Sequence, residues 1–245
     1  LSKIYNVSEI YLSESACVQT LVDAVSKYGF YTSKDMDESS WIGIPLWVHR
    51  RCQYPMFTIS NAISYNNLMV QGKEGYGKTG WYDIAGKAVN KYVEEQGDFL
   101  LKKIKSMIEK DPKIIDKNES DTVYIISPFK NVAYKLGIKL DKIGFTRKEK
   151  GKVTNIGTIH TFQGKEAPIV FMVLGADTNS KGAATWAVNE ANMMNVAATR
   201  AKKEFYIIGD RKLYKSLGSE VITKVNNVIT EYGNEHPELV DEIMD

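Results

Sequence analysis

Short runs of consecutive apolar residues alternate along this chain with longer segments in which apolar side chains return at helical spacing. The runs are Ile42 to Val48, Val123 to Ile126, Ile169 to Leu174 and Phe205 to Ile208, with a weaker fifth within Val153 to Ile159. Such short runs, rich in β-branched and aromatic side chains, predict strands buried on both faces. Helices are predicted over residues 9–28, closed by Gly29, and over Pro55 to Tyr65, Ile84 to Met107, the Ser127-Pro128 cap through Asp141, Ala187 to Lys203, and Leu213 to about Val228. Leu68 to Asp83, rich in glycine, reads as a loop, and so does the small-residue run Asp177 to Thr185. The alternation predicts an α/β fold, with a mainly parallel sheet and helices on both faces. Ligands of such sheets gather at the carboxyl ends of strands, and Arg51, Ser127, the loop Thr158 to Glu166 and Asp210 are expected there.

Composition adds little to this picture and charge somewhat more. The chain has 245 residues, 43% of them hydrophobic, which allows a sizeable core. A net charge of +2 neither requires nor excludes a polyanionic partner. Its distribution is uneven: lysines crowd residues 102–152, whereas residues 231–245 hold six carboxylates and no lysine or arginine. Two cysteines, Cys17 and Cys52, make no disulfide framework and favour a reducing, cytoplasmic setting. No apolar run is long enough to span a membrane. The chain begins at Leu1 and enters structure almost at once, so it is expected to be a piece of a longer protein.

Five stretches carry candidate chemistry. Thr158-Ile-His-Thr-Phe-Gln-Gly-Lys-Glu166 is a polar loop between two strands, read either as a contact loop or as a self-capping connection. His49-Arg50-Arg51-Cys52 follows a strand and offers two guanidinium groups, either solvated or ligating an anion. Ser127-Pro128-Phe129 starts a helix, whose free N–H groups suit a cap or a phosphate. Lys135, Lys139 and Lys142 share one helical face. Gly72 to Thr79 fits the spacing G-x-x-x-x-G-K-[ST], but a working phosphate loop needs a buried strand before it and a helix starting at Lys78-Thr79. Neither flank supplies that, so the match reads as accidental.

The order of these stretches, together with Asn195-Val-Ala-Ala-Thr-Arg-Ala201, resembles the second RecA-like domain of superfamily 1 helicases, nearest to the 5′ to 3′ branch, superfamily 1B. The resemblance covers roughly residues 40 to 212. It implies a RecA-like three-layer sandwich over residues 41–230, after a helical lead-in over 1–40 that continues from an upstream domain, and before an acidic tail over 231–245. It implies that Arg51 and Arg200 act as arginine fingers on ATP bound against that upstream RecA-like domain, with Arg50, Gln163, Gly164 and Glu166 lining the nucleotide. Ser127, Pro128, Phe129, Thr158, His160 and Thr161 would touch the sugar-phosphate backbone of single-stranded DNA or RNA. ATP and Mg²⁺ would be held mainly by the upstream domain; no metal ligand is assigned in this chain, and the piece alone is expected not to hydrolyse ATP. Arg50 departs from the family, which commonly has a tyrosine near the adenine, so a cation-stacking contact replaces ring stacking there or the contact is lost. The alternatives are a degenerate RecA-like module that binds nucleic acid or protein without motor activity, and a small NTPase resting on Gly72 to Thr79 alone.

Overall fold

The computed structural model describes residues 11, 17–31, 41–43, 47–116, 122–162 and 164–241. The chain forms two units, Leu1–Trp47 and Val48–Asp245. In the first, helix α1 (Val18–Val25) is followed by an antiparallel pair, β1 (Gly29–Tyr31) and β2 (Trp41–Gly43). The buried Asp23 carboxylate accepts the Gly43 N–H at 3.0 Å and so ties the helix to the pair. The helix expected over residues 9–28 is therefore shorter among the described residues, and Gly29 opens a strand instead of closing the helix. The apolar run from Ile42 is also reassigned. Its first residues belong to this hairpin, 44–46 lie outside the described residues, and β3 (Val48–His49) pairs only with β4 (Val70–Gln71).

The second unit is built on a five-stranded, fully parallel sheet in the order β11-β8-β12-β13-β5, the α/β architecture expected. Its members are β5 (Lys78–Asp83), β8 (Val123–Ile126), β11 (Ile156–Gly157), β12 (Ala167–Val173) and β13 (Ala201–Gly209). All four residues of β8 are buried, as a continuous apolar run in the middle of a parallel sheet requires. Helices cover both faces, and the period-two alternation of β5 shows how. Tyr82 packs on Phe99 of α3 (Glu94–Lys110) and lies beside Tyr206, which stacks on Phe171. The preceding Trp81 points to the opposite face, meets Tyr214 of α7 (Arg211–Ser216), and donates its indole N–H to the Gly209 carbonyl. On that face α2 (Met56–Ser64) packs against α6 (Ala191–Arg200) and α8 (Glu220–Glu235). The first face also holds α4 (Lys130–Asp141), tied to α3 by Lys139, which pairs with both Glu94 and Asp98. The expected row of three exposed cations is thus broken at its middle member.

Several other expectations are corrected. The Leu68 to Asp83 loop contains β5, and Thr79, its hydroxyl bonded to the Phe205 carbonyl at 2.8 Å, is fully buried. A strand, not a helix, follows the glycines, so Gly72 to Thr79 has no phosphate-loop geometry. The helix predicted from Ile84 starts at Glu94, because β6 (Ala88–Val89) and β7 (Tyr92–Val93) form a hairpin first, with Asn90 and Lys91 both left-handed at its turn. Ala187 to Lys203 resolves into the end of α5 (Lys181–Asn189), then α6, then the first residues of β13. The last predicted helix is two, α7 and α8, because Gly218 takes φ +68° and Ser219 caps the second by accepting the Ile222 N–H. Most of the lead-in expected over 1–40 lies outside the described residues.

After α8 the chain folds back on the edge of the sheet. Val240 bridges Thr79 in parallel, and the Asp241 N–H donates to the Thr79 carbonyl at 2.8 Å. The Asp241 carboxylate accepts from Tyr82 Oη at 2.9 Å and Lys103 Nζ at 3.0 Å. Gly80 is obligatory beneath this strap, since a Cβ there would lie 1.7 Å from the Asp241 carbonyl oxygen. Burial works to raise the Asp241 pKa, but Lys103 and Tyr82 outweigh it and hold the carboxyl below the usual range. A depressed carboxyl pKa contributes stability at pH values above the ordinary aspartate range, and loses it as pH falls through the lowered value. Denaturant unfolding of wild type and Asp241→Asn should therefore show the wild type more stable near neutral pH, with the difference closing between about pH 5 and pH 2.

Candidate functional site

At the carboxyl end of β8, Ser127 is fully buried, donates its N–H to the Gly157 carbonyl and accepts the Phe129 N–H on Oγ at 3.2 Å. The serine is thus a turn-former beneath a surface to which the largely buried Pro128 and Phe129 contribute their edges. That surface is one wall of a cleft of about 500 Å³, whose other walls include Thr158, His160 and Trp186. Phe129 and Trp186 lie with ring centroids 5.8 Å apart, the tryptophan more than half exposed, and Lys91 and Lys130 add positive charge at the rim. Four residues proposed from the sequence for a nucleic-acid track, Pro128, Phe129, Thr158 and His160, are therefore brought together. Thr161 is not among the cleft's lining. Its side chain packs back over Gly157, where a Cβ would sit 2.3 Å from Thr161 Oγ1. Trp186, on α5, was passed over in the sequence because it stands between a small-residue run and an apolar helix, and nothing local tells a core tryptophan from an exposed one.

A second group forms at the opposite, amino-terminal end of the strands. Glu166 immediately precedes β12, and Arg200 and Lys202 bracket the start of β13, which pairs there with β12 through Ala167 and Ala201. Glu166 forms an ion pair with Lys202 at 2.6 Å, and its carboxyl is held below the usual range chiefly by that hydrogen bond, with Arg51 and Lys73 adding to it. Arg200 is only 9% exposed, and its Nε has no hydrogen-bond partner. Burial first, then the charge of Arg51, pull its guanidinium below the usual arginine range, against a smaller opposing effect of Glu166. Arg51 is exposed, and Lys73 donates to its backbone carbonyl at 3.1 Å. Arg50, also exposed, lays its stem over Gly72. Four cations, Arg51, Lys73, Arg200 and Lys202, thus face one carboxylate.

This corrects the expectation that Arg51 and the whole loop Thr158 to Glu166 lie with Ser127 and Asp210 at the carboxyl ends. The loop is the crossover from β11 to β12 and spans the sheet. Thr158 leaves at the level of Ile126 and Met172, and Glu166 arrives beside Ala167, five strand residues lower, or about 16 Å at ~3.3 Å per residue. Phe162, fully buried against Tyr124 at 4.5 Å, anchors its middle. Gln163 lies outside the described residues. Gly164 is left-handed at φ +79° with open space around it. Asp210 caps α7 by accepting the Leu213 N–H. Asn195 accepts from Ser60 Oγ at 2.6 Å, and Thr199 donates to the Asn195 carbonyl, so both polar residues ahead of Arg200 are spent on holding α6. Cys52 sits 3.1 Å from His49, but burial pushes its thiol up to about 12, far from a reactive thiolate.

Among the described residues no group of three or more His, Cys, Asp or Glu side chains is placed to hold a metal ion, and no helix is long and apolar enough to cross a membrane. No curated protein sequence matches the chain. Among solved structures it is similar to the complex of arterivirus nonstructural protein 10 (helicase) with DNA, at 14% identity and a TM-score of 0.31, over 72% of this chain and 28% of that one. The chain thus spans little more than a quarter of that protein. A family model described as AAA domain matches residues 51–212, a stretch that takes in both arginines, Glu166, the aromatic cleft and every strand of the parallel sheet, and the chain accordingly belongs to the AAA domain family.

Proposed function

We propose that this chain is the second RecA-like motor domain of a superfamily 1 helicase, working 5′ to 3′, with an upstream RecA-like domain that holds ATP and Mg²⁺. The observation that carries this reading is Arg200: a buried guanidinium beside a second arginine, whose Nε has no hydrogen-bond partner among the described residues and whose carboxylate neighbour, Glu166, is itself ion-paired with Lys202. A protein gains nothing in stability from such an arrangement, because burial of an unpaired charge costs free energy and a like charge adds to it. The donor set suits a polyanion instead. Arg51 and Arg200 would reach the terminal phosphate, where fixed guanidinium donors stabilise the charge that spreads over the transferring group. ATP, when bound, supplies the bond whose cleavage drives the motor. Glu166, Arg50, Gln163 and Gly164 would border the nucleotide, with Glu166 holding Lys202 in place at the strand ends. A degenerate binding module has no use for this arginine pair.

The aromatic cleft at the other end of the strands supplies the single-strand track. Trp186, more than half exposed and backed by the buried Phe129 ring, offers a face on which a base stacks, His160 and Thr158 offer donors to the backbone, and the lysines attract phosphate. The crossover from Thr158 to Glu166 joins track to nucleotide directly, so a shift at one end is transmitted through a segment whose middle is anchored at Phe162.

Three outcomes test the reading. In a protein that includes the upstream domain, Arg200→Ala should lower ATP turnover by about 10³-fold or more while single-strand affinity stays within about twofold; unchanged turnover would refute the finger role. In this chain, Arg200→Met should raise stability in urea unfolding by about 1 kcal/mol, since removing a buried, under-bonded charge beside the exposed Arg51 outweighs the loss of a cation at the end of α6. Trp186→Ala should weaken binding of a fluorescent single-stranded oligonucleotide by about tenfold in anisotropy titrations, and leave ATP turnover without nucleic acid as it was.

A further inference from the structure

Beside the start of β5 lies a cavity of about 390 Å³ that neither the nucleotide reading nor the strand track uses. One side of it is a continuous row of rings. Tyr54 stacks on Tyr76 at 5.9 Å, Tyr76 meets His236 at 4.6 Å, and His236 meets Tyr232 at 5.0 Å. Tyr232 is fixed in place by the hydrogen bond its hydroxyl donates to the Gly77 carbonyl at 2.8 Å. The other side carries Glu231 and Glu235, four residues apart and so on one face of α8. No lysine or arginine lines the cavity, and among the described residues neither carboxylate has an ion-pair partner.

This charge arrangement runs against helix physics. Glu231 and Glu235 occupy the last turns of α8, where the helix dipole already presents negative potential; the last turn holds no lysine or arginine, and the C-cap His236 lies 4.0 Å from a third carboxylate, Glu238. Two like charges one turn apart repel further. Ring faces add the negative side of their quadrupoles. Dipole, carboxylates and rings all favour a cation and oppose a phosphate, which separates this cavity from both sites described above. A planar cation meets the acceptor set better than a compact one: a guanidinium lies flat on a tyrosine ring while presenting a fixed fork of N–H donors to carboxylate oxygens, whereas an ammonium meets the same groups only as a strongly hydrated point charge without that planar fit.

We propose that this cavity is a binding site for a guanidinium group, namely an arginine side chain presented by a polypeptide partner. The test is a titration of the isotopically labelled 245-residue chain with N-acetyl-arginine-methylamide, followed by NMR shifts, with the citrulline and lysine analogues as neutral and compact-cation controls. Saturable shifts at Tyr76, Tyr232 and His236 are expected for arginine, with about fivefold or greater weakening for citrulline and for lysine. Tyr76→Ala and the pair Glu231→Gln with Glu235→Gln should each weaken arginine binding by about fivefold. These positions are exposed, and neutralising the two glutamates relieves repulsion at the helix end, so the unfolding midpoints of the variants should not fall appreciably below that of the wild type. Absence of saturable shifts, equal binding of citrulline, tighter binding of lysine, or full affinity in the double glutamine variant would each overturn the proposal. An oligonucleotide-binding or ATP assay reads neither cavity residue, so failure here leaves the motor reading untouched, and the converse also holds.

Discussion

The organisation of this molecule depends on the pairing of β12, which is hydrogen-bonded along both edges, to β8 on one side and β13 on the other. A central parallel strand so held cannot slide without breaking two ladders and moving every apolar residue to the wrong face. Its two ends are therefore fixed points. Glu166 stands at one, with Arg200 and Lys202 brought alongside by β13; at the other, β8 and β11 deliver Ser127 and Thr158. The two groups of side chains are set apart by the length of one strand, and the crossover that joins them also packs Phe162 into the core.

Arg200 shows what such a site costs the fold. Its helix spends Asn195 and Thr199 on positioning, through Ser60 and the helix backbone, and leaves the guanidinium itself under-bonded. Buried polar atoms are nearly always paired, and an exception of this kind is held in place at the expense of stability, which is why the proposed function rests on it. Two lysines of the same unit show the contrast: Lys139 has two carboxylates, and Lys103 sits against Asp241 and over the Tyr82 ring.

Much of this was legible from the residues. β8, β12 and β13 read correctly because strands buried on both faces are apolar without interruption. β5 did not, because Lys78-Thr-Gly-Trp-Tyr-Asp83 mixes a glycine demanded by the strap with a threonine whose hydroxyl is spent on a neighbouring carbonyl; both are properties of its neighbours, not of its own pattern. Order along the chain was enough to group Pro128 and Phe129 with Thr158 and His160, and Arg51 with Arg200, but it carries no information on which end of the sheet each group occupies. That follows from strand direction and from where the crossover starts and stops. Trp186 and the ring row from Tyr54 to Tyr232 escaped notice for a related reason: apart from the neighbours Tyr232 and His236, the partners are 22 or more residues apart in sequence, and the packing of helices against the sheet makes them neighbours.

The strap over Gly80 has a consequence beyond its contribution to stability. Open sheet edges expose unpaired backbone groups to other chains and are sites of aggregation. Here one margin of the central sheet, β11, is only two residues long, and the other, β5, is partly occupied by Val240 and Asp241. A sheet whose strands pair slowly, because each partner comes from far along the chain, is most at risk of intermolecular pairing while it assembles. By laying its own backbone along β5, the segment after α8 works as an internal guard against polymerisation, and loosening it would be felt first as poor recovery on refolding.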